Sequence, residues 1–146
     1  VAARAEAEQN GLTNASFEKR DAAALRETER FDLITSFDAV HDQARPDLML
    51  AGIAHALRPD GVYLCVDVGA SSNLAENVDH PLGPFLYTIS CMHCMTVSLA
   101  YDGMGLGTMW GEQKAHAMLR DAGFANIKTE KVESDIVNSY YIATKT

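Results

Sequence analysis

Apolar and polar residues alternate along this chain in short blocks, each about as long as one secondary-structure element. Phe31-Asp32-Leu33-Ile34-Thr35-Ser36-Phe37 puts Phe31, Leu33, Thr35 and Phe37 on one face and Ile34 on the other, which predicts a strand of a parallel sheet covered on both sides. At its carboxyl end the chemistry changes to Ser36, Asp38, His41 and Asp42. A second predicted strand, Val62 to Val68, ends in the same way at Asp67 and Gly69. Arg45-Pro46-Asp47 between them has the make-up of a helix start, since proline at the first helical position loses no donor and an acid suits the positive helix end. Leu50, Ile53, Ala54 and Leu57 then recur at helical spacing, and Arg58-Pro59-Asp60-Gly61 stops the helix and turns the chain into the second strand.

The flanks are read by the same rules. Residues 1–11 are strong helix formers ending in a glycine stop. Ala15 to Asp21 predicts a short, weakly alternating strand. From Trp110 to Ala122 a helix carries Ala115, Met118, Leu119 and Ala122 on one stripe, with Gly123 past its end. Ile127–Val132 and Ser139–Thr144 predict two strands joined by a polar turn near Asp135, as an antiparallel pair. Residues 70–108 break the alternation. They are rich in Gly, Ser, Asn, His, Met and aromatics, and their apolar run from Phe85 to Ala100 is shorter than the ~20 residues of a membrane span. A helical lid or pocket wall is the expectation. Strands alternating with helices predict an α/β layered sheet, in which ligands bind outside the carboxyl ends of the strands. The two polar strand ends are therefore expected to open on one hollow.

Composition narrows the partners. A net charge of -8 with scattered Lys and Arg disfavours nucleic acid and anionic membranes, which need clustered cations. Three cysteines, an odd number, after opening residues with no basic flank and apolar core of a signal peptide lead to the expectation of reduced thiols in the cytoplasm. The sequence opens on Val1 in what looks like a helix already under way, so residues 1–146 are expected to be the C-terminal portion of a longer domain.

The order Asn-Gly-Leu … Phe-Glu-Lys-Arg-Asp-Ala-Ala-Ala-Leu … Phe-Asp-Leu-Ile-Thr-Ser-Phe-Asp-Ala-Val-His-Asp … Ala-Leu-Arg-Pro-Asp-Gly-Val-Tyr-Leu-Cys-Val-Asp resembles class I S-adenosylmethionine-dependent methyltransferases. The insertion, with His80-Pro81-Leu82-Gly83-Pro84-Phe85 and Gly105 to Glu112, resembles a bacterial subgroup that often carries an N-terminal winged-helix domain. The resemblance implies a partial Rossmann-like sheet with helices on its faces and residues 70–108 as a lid. It implies S-adenosylmethionine as cofactor. Asp21 matches the acid that accepts from the adenine amino group, and Ala22 the neighbour whose N–H faces the ring. Ser36, Phe37 and Asp38 match the strand end lining the cofactor, and His41 with Asp42 a Val-His-Asp of small-molecule O-methyltransferases. The family's glycine loop and ribose-binding acid would lie before Val1.

Other features compete. Gly103-Met104-Gly105-Leu106-Gly107 follows a stretch, Val97–Tyr101, that could be a strand. Glu130 lies about 20 residues on, an outline of a dinucleotide fingerprint, but Thr108 stands where the third glycine belongs. A connection within a lid is the plainer reading. Cys91-Met92-His93-Cys94 has the spacing of a zinc or redox pair but lacks a second pair, so packing is preferred and no metal is expected. His41 is the candidate base, with a role in shaping the strand end as the plainer account. His80, Tyr87, His93 and Trp110 are either substrate contacts or core. The reading preferred on these residues is methyl transfer to a small-molecule acceptor. The others are a non-catalytic module pairing through an exposed sheet edge, with a second copy as one partner, and a nicotinamide enzyme built on residues 103–107.

Overall fold

A computed structural model describes residues 2–146. The elements run as α1 (Ala2–Gln9), a 3-10 turn (Ala22–Ala24), β1 (Phe31–Phe37), α2 (Pro46–Ala56), β2 (Leu57–Val68), a second 3-10 turn (Leu74–Asn77), α3 (Gly83–Ile89), a π turn (Ser90–Cys94), α4 (Met95–Ala100), α5 (Glu112–Asp121), β3 (Asn126–Val132) and β4 (Asp135–Thr144). The sheet order is β1-β2-β4-β3, with β1 and β2 parallel and the other pairs antiparallel. The expected α/β class, the parallel pair, the C-terminal hairpin and the helical insertion are all present.

Local chemistry explains the boundaries. Pro46 opens α2 and Asp47 sits in its first turn. Leu57 leaves α2 in extended backbone, φ -73° and ψ 142°, and enters β2 without a separate loop. Arg58 to Gly61 form an excursion within that strand: Phe31 pairs with Leu57, but Leu33 already pairs with Val62. The excursion is tight at Gly61, whose added Cβ would meet Leu57 Cδ2 at 2.9 Å and the carbonyl oxygens of Arg58 and Asp32 at 3.1 Å. At the end of α5 the Gly123 N–H donates to Arg120 O and the Phe124 N–H to Leu119 O, and Gly123 takes φ 106°, a left-handed stop that glycine adopts at little cost. Phe124 thereby drops into the core, its ring 5.7 Å from that of Tyr63. Val40, Leu50, Ile53, Leu57, Tyr63, Trp110, Leu119, Phe124 and Tyr141 make that core, between one sheet face and helices α2 and α5.

Two expectations fail. Residues 15–21 form no strand and are exposed throughout. A strand needs a neighbour for its N–H and C=O groups, and among the described residues none lies alongside; Phe17 O instead accepts from the Arg4 guanidinium at 2.6 Å. β1 is also not covered on both faces. It is the sheet's edge strand, and Leu33 and Phe37 are 58% and 62% exposed. The opposite face is the packed one, through Ile34 and Ser36. Near the tip of β2, by contrast, Leu86 and Met109 pack on Val68. Among the described residues no helix is long and apolar enough to cross a membrane.

Candidate functional site

The parallel pairing of β1 and β2 puts their carboxyl ends side by side, since Phe37 pairs with Val66 and the Asp38 N–H donates to Val66 O at 2.9 Å. Asp38 then takes φ 45°, a left-handed conformation uncommon for a non-glycine residue, and the chain turns back over the tip of β2. That turn buries His41. Its Nδ1 lies 2.5 Å from Asp67 Oδ1, with both side chains out of solvent. Asp67 Oδ1 also accepts from the Val68 N–H at 2.9 Å, so it is the proton acceptor and His41 Nδ1 the donor. On the far side of the ring, His41 Nε2 stands 3.4 Å from Asp42 Oδ1. Beneath them Ser36 Oγ and the Tyr63 hydroxyl share a buried hydrogen bond of 2.7 Å.

The electrostatics follow from this crowding. Burial, the largest effect, lowers the pKa of His41, but the hydrogen bond and charge of Asp67, helped by Asp42 and Asp38, outweigh it and leave the value raised. Asp38 is raised by burial and by the nearby Asp67. The Tyr63 phenol is raised well above its ordinary value by burial.

Over residues 1–123 the sequence matches the family model of a methyltransferase domain. The chain belongs to that family. No curated protein matches it. Among solved structures it is similar to a candidate O-methyltransferase from Nostoc punctiforme, at 16% identity and a TM-score of 0.71 over 97% of this chain and 41% of that one. It is also similar to an O-methyltransferase family protein from Burkholderia thailandensis, at 20% identity and a TM-score of 0.69 over 99% of this chain and 40% of that one. A third likeness, to PigF solved with S-adenosylhomocysteine (SAH), has 16% identity and a TM-score of 0.68 over 97% of this chain and 39% of that one. At these identities the likeness is one of fold. The chain spans about two fifths of the length of all three.

The remaining sequence-predicted residues of the methyltransferase domain fall into distinct settings. Asp21 caps the first 3-10 turn, one carboxylate oxygen accepting from the Ala23 N–H at 3.0 Å; the side chain is exposed, and Ala22 is half-buried against the core. Phe37 presents a mostly exposed ring at the strand tip. His80 is fixed at the end of β2. The Leu82 N–H donates to its Nδ1 at 3.2 Å, so Nε2 is the protonated nitrogen and donates to Gly69 O at 3.0 Å. Tyr87 is half-buried, and its hydroxyl accepts from Asn77 Nδ2 at 2.9 Å. His93 is exposed on the π turn. Trp110 is a core residue, only 5% exposed, with its Nε1 buried and without a partner among the described residues. Two clefts of about 470 and 420 Å³ open beside Gly69 and His80, and neither is lined by Phe37, Asp38 or His41.

The competing motifs resolve as scaffold. Val97–Tyr101 is helix and turn, not strand, because it completes α4. The glycine run after it folds back on that helix: the Gly103 N–H donates to Ser98 O, the Gly105 N–H to Ser98 Oγ, and the Met104 N–H to Ala44 O. Three of its five backbone donors are thus used within the chain, away from any strand–helix junction. Cys91 and Cys94 do not form a pair, since Cys91 is exposed and Cys94 buried. Asn77 was not singled out by sequence. Buried, it accepts from the Ser71 N–H at 2.9 Å and donates to Ser71 O at 2.7 Å, pinning the loop after β2; only the Asn- and Ser-rich composition there hinted at such a clasp.

Exposure sets an expected order of thiol reactivity. Iodoacetamide on the native protein should modify Cys91 first. Cys65, whose thiol burial and then the charge of Asp67 push up to about 12, should stay unmodified until the chain unfolds. Mass spectrometry of a digest reads this directly, and rapid native labelling of Cys65 would contradict its place in the core.

Proposed function

We propose that the protein transfers a methyl group from S-adenosylmethionine to a small-molecule acceptor, with the carboxyl ends of β1 and β2 as one wall of the site. The observation that carries this is the pair of parallel strand tips locked by the buried His41–Asp67 hydrogen bond in a chain of the methyltransferase domain family. The donor groups suit the cofactor. Asp21 keeps a carboxylate oxygen free for an adenine amino group while the other caps the 3-10 turn. The half-buried Ala22 offers backbone beside it, and the exposed ring of Phe37 offers an apolar face at the strand tip. Ser36, already bonded to Tyr63, acts by fixing the tip, and Asp38 presents a carboxylate where the strand turns.

The bound cofactor supplies an electrophilic methyl on a sulfonium; the chain aligns the reactants and excludes water. His41 is 4% exposed, with both ring nitrogens turned toward carboxylates. Its role is to hold the loop after β1 over β2 rather than to meet the acceptor. His80, Tyr87 and His93 lie in the insertion, where acceptor selectivity would reside, and His80 also lines both clefts at the tip of β2. The three free cysteines suit the cytoplasm.

Calorimetric titration of SAH into the full-length gene product tests this. Binding is expected, and Asp21→Ala should weaken it about 10-fold, the cost of one lost hydrogen bond to a desolvated partner. Undetectable binding, or binding indifferent to Asp21, would remove the reading. A second reading rests on a separate observation: Leu33 and Phe37 stand exposed on an unpaired edge strand, a template for pairing with a second copy. A concentration-dependent dimer without SAH binding is its signature.

A further inference from the structure

The insertion brings a third donor to the far side of His41. Within the π turn the Met95 N–H reaches back to Ser90 O, and this wider turn exposes Cys91, Met92 and His93 while turning Ser90 and Cys94 inward. Cys94 Sγ there accepts from the Thr108 hydroxyl at 3.1 Å. One donor atom each from His41, Asp42 and Cys94 lie within 4.8 Å of one another. Asp42 Oδ1 is turned into this cluster, out of solvent and without a hydrogen-bond partner among the described residues, although the Asp42 side chain as a whole is 39% exposed.

We infer that His41 Nε2, Asp42 Oδ1 and Cys94 Sγ form a binding site for one Zn²⁺ ion, clamping the helical insertion to the tip of β1. Three features converge on a cation. His41 donates its Nδ1 proton in a hydrogen bond to Asp67, which leaves Nε2, 3.4 Å from Asp42 Oδ1, as the ring nitrogen where a cation can take the place of a proton. That separation is also the edge of a tetrahedron with bonds of ~2.1 Å, about 3.4 Å, the geometry of zinc held by nitrogen and oxygen. Asp67 behind His41 completes the carboxylate–histidine arrangement that fixes tautomer and basicity in zinc sites. Nitrogen, oxygen and sulfur together favour a borderline ion over magnesium or calcium, which take oxygen alone. Three protein donors leave one position for water. On binding, Cys94 loses its S–H proton and His41 any proton on Nε2, both to solvent, as the Zn–S and Zn–N bonds form, so affinity rises with pH. The site stands independently of cofactor binding, and its failure would leave the methyl-transfer reading as it was.

Titration of metal-stripped protein with Co²⁺, followed by displacement with Zn²⁺, tests the assignment. One equivalent of Co²⁺ should produce thiolate-to-cobalt charge-transfer absorption, abolished in Cys94→Ser and retained in Cys91→Ser, with circular dichroism showing that both variants fold. If Cys94→Ser does not fold, Asp67→Asn and Asp42→Asn serve instead. The first should weaken binding by ~10–100-fold, as loss of a histidine's hydrogen-bond partner does, and the second should weaken it further. Absence of the band, its persistence in Cys94→Ser, its dependence on Cys91, or unchanged affinity in both aspartate variants would each overturn the site.

Discussion

Asp67→Ala is expected to lower the unfolding free energy by about 3 kcal/mol, the low end of the range for removing one partner of a buried ion pair. The low end applies because His41 can shed its proton and remain buried as a neutral ring. Asp67 is fully buried and joins three groups: the His41 ring, the Val68 N–H and, through His41, the loop that carries Asp38 and Asp42. The loss carries a pH signature. The folded state raises the pKa of His41 above its ordinary 6.5, so the folded chain holds that proton more tightly than the unfolded one. The resulting stabilisation is complete below 6.5 and is lost as pH rises through the raised folded value. Urea unfolding of metal-stripped wild type and variant, in which His41 is free to carry the proton, should therefore show a larger gap at pH 6 than at pH 9. A gap under 1 kcal/mol at pH 6, or one that widens with pH, would show that the pair does not hold the strand tips together.

The second large effect concerns Trp110. Trp110→Ala should destabilise the fold by ~3–5 kcal/mol, the usual result of emptying a large core site, because the ring packs in the main core. Trp110→Phe should cost less than about 1.5 kcal/mol, since it keeps most of the apolar volume and removes an Nε1 donor that has no partner among the described residues. As the one tryptophan of the chain, it should also give the blue-shifted emission of a buried indole. If instead Trp110→Ala leaves the urea midpoint in place and changes only KM for an acceptor, the residue is a substrate contact and its core assignment is wrong.

These two residues also mark where sequence reading stopped. Trp110 sits among Gly, Thr and Met in an irregular stretch, where neither the helical nor the strand period applies, so nothing local distinguishes a core ring from a pocket ring. Asp67 was legible as a polar strand end. Its pairing with a histidine 26 positions away depends on β1 and β2 being parallel neighbours in one register. The strand expected at 15–21 failed for a related reason: alternation records the capacity to pair, and pairing needs a second strand. The burial expected for Leu33 and Phe37 failed because apolar alternation does not say whether anything packs over that face.

Residues acting through neighbours in sequence declared themselves in the chain. Pro46 opened α2, the Arg58–Gly61 turn interrupted the path into β2, Gly123 stopped α5, and strands alternating with helices fixed the class, because backbone dihedrals and face periodicity are local properties. Long-range placement was decided by folding alone. The sheet's parallel register set His41 against Asp67, and a single π turn sent Cys94 inward and Cys91 outward. Contacts between residues far apart along the chain depend on how layers pack, and no local period encodes that packing.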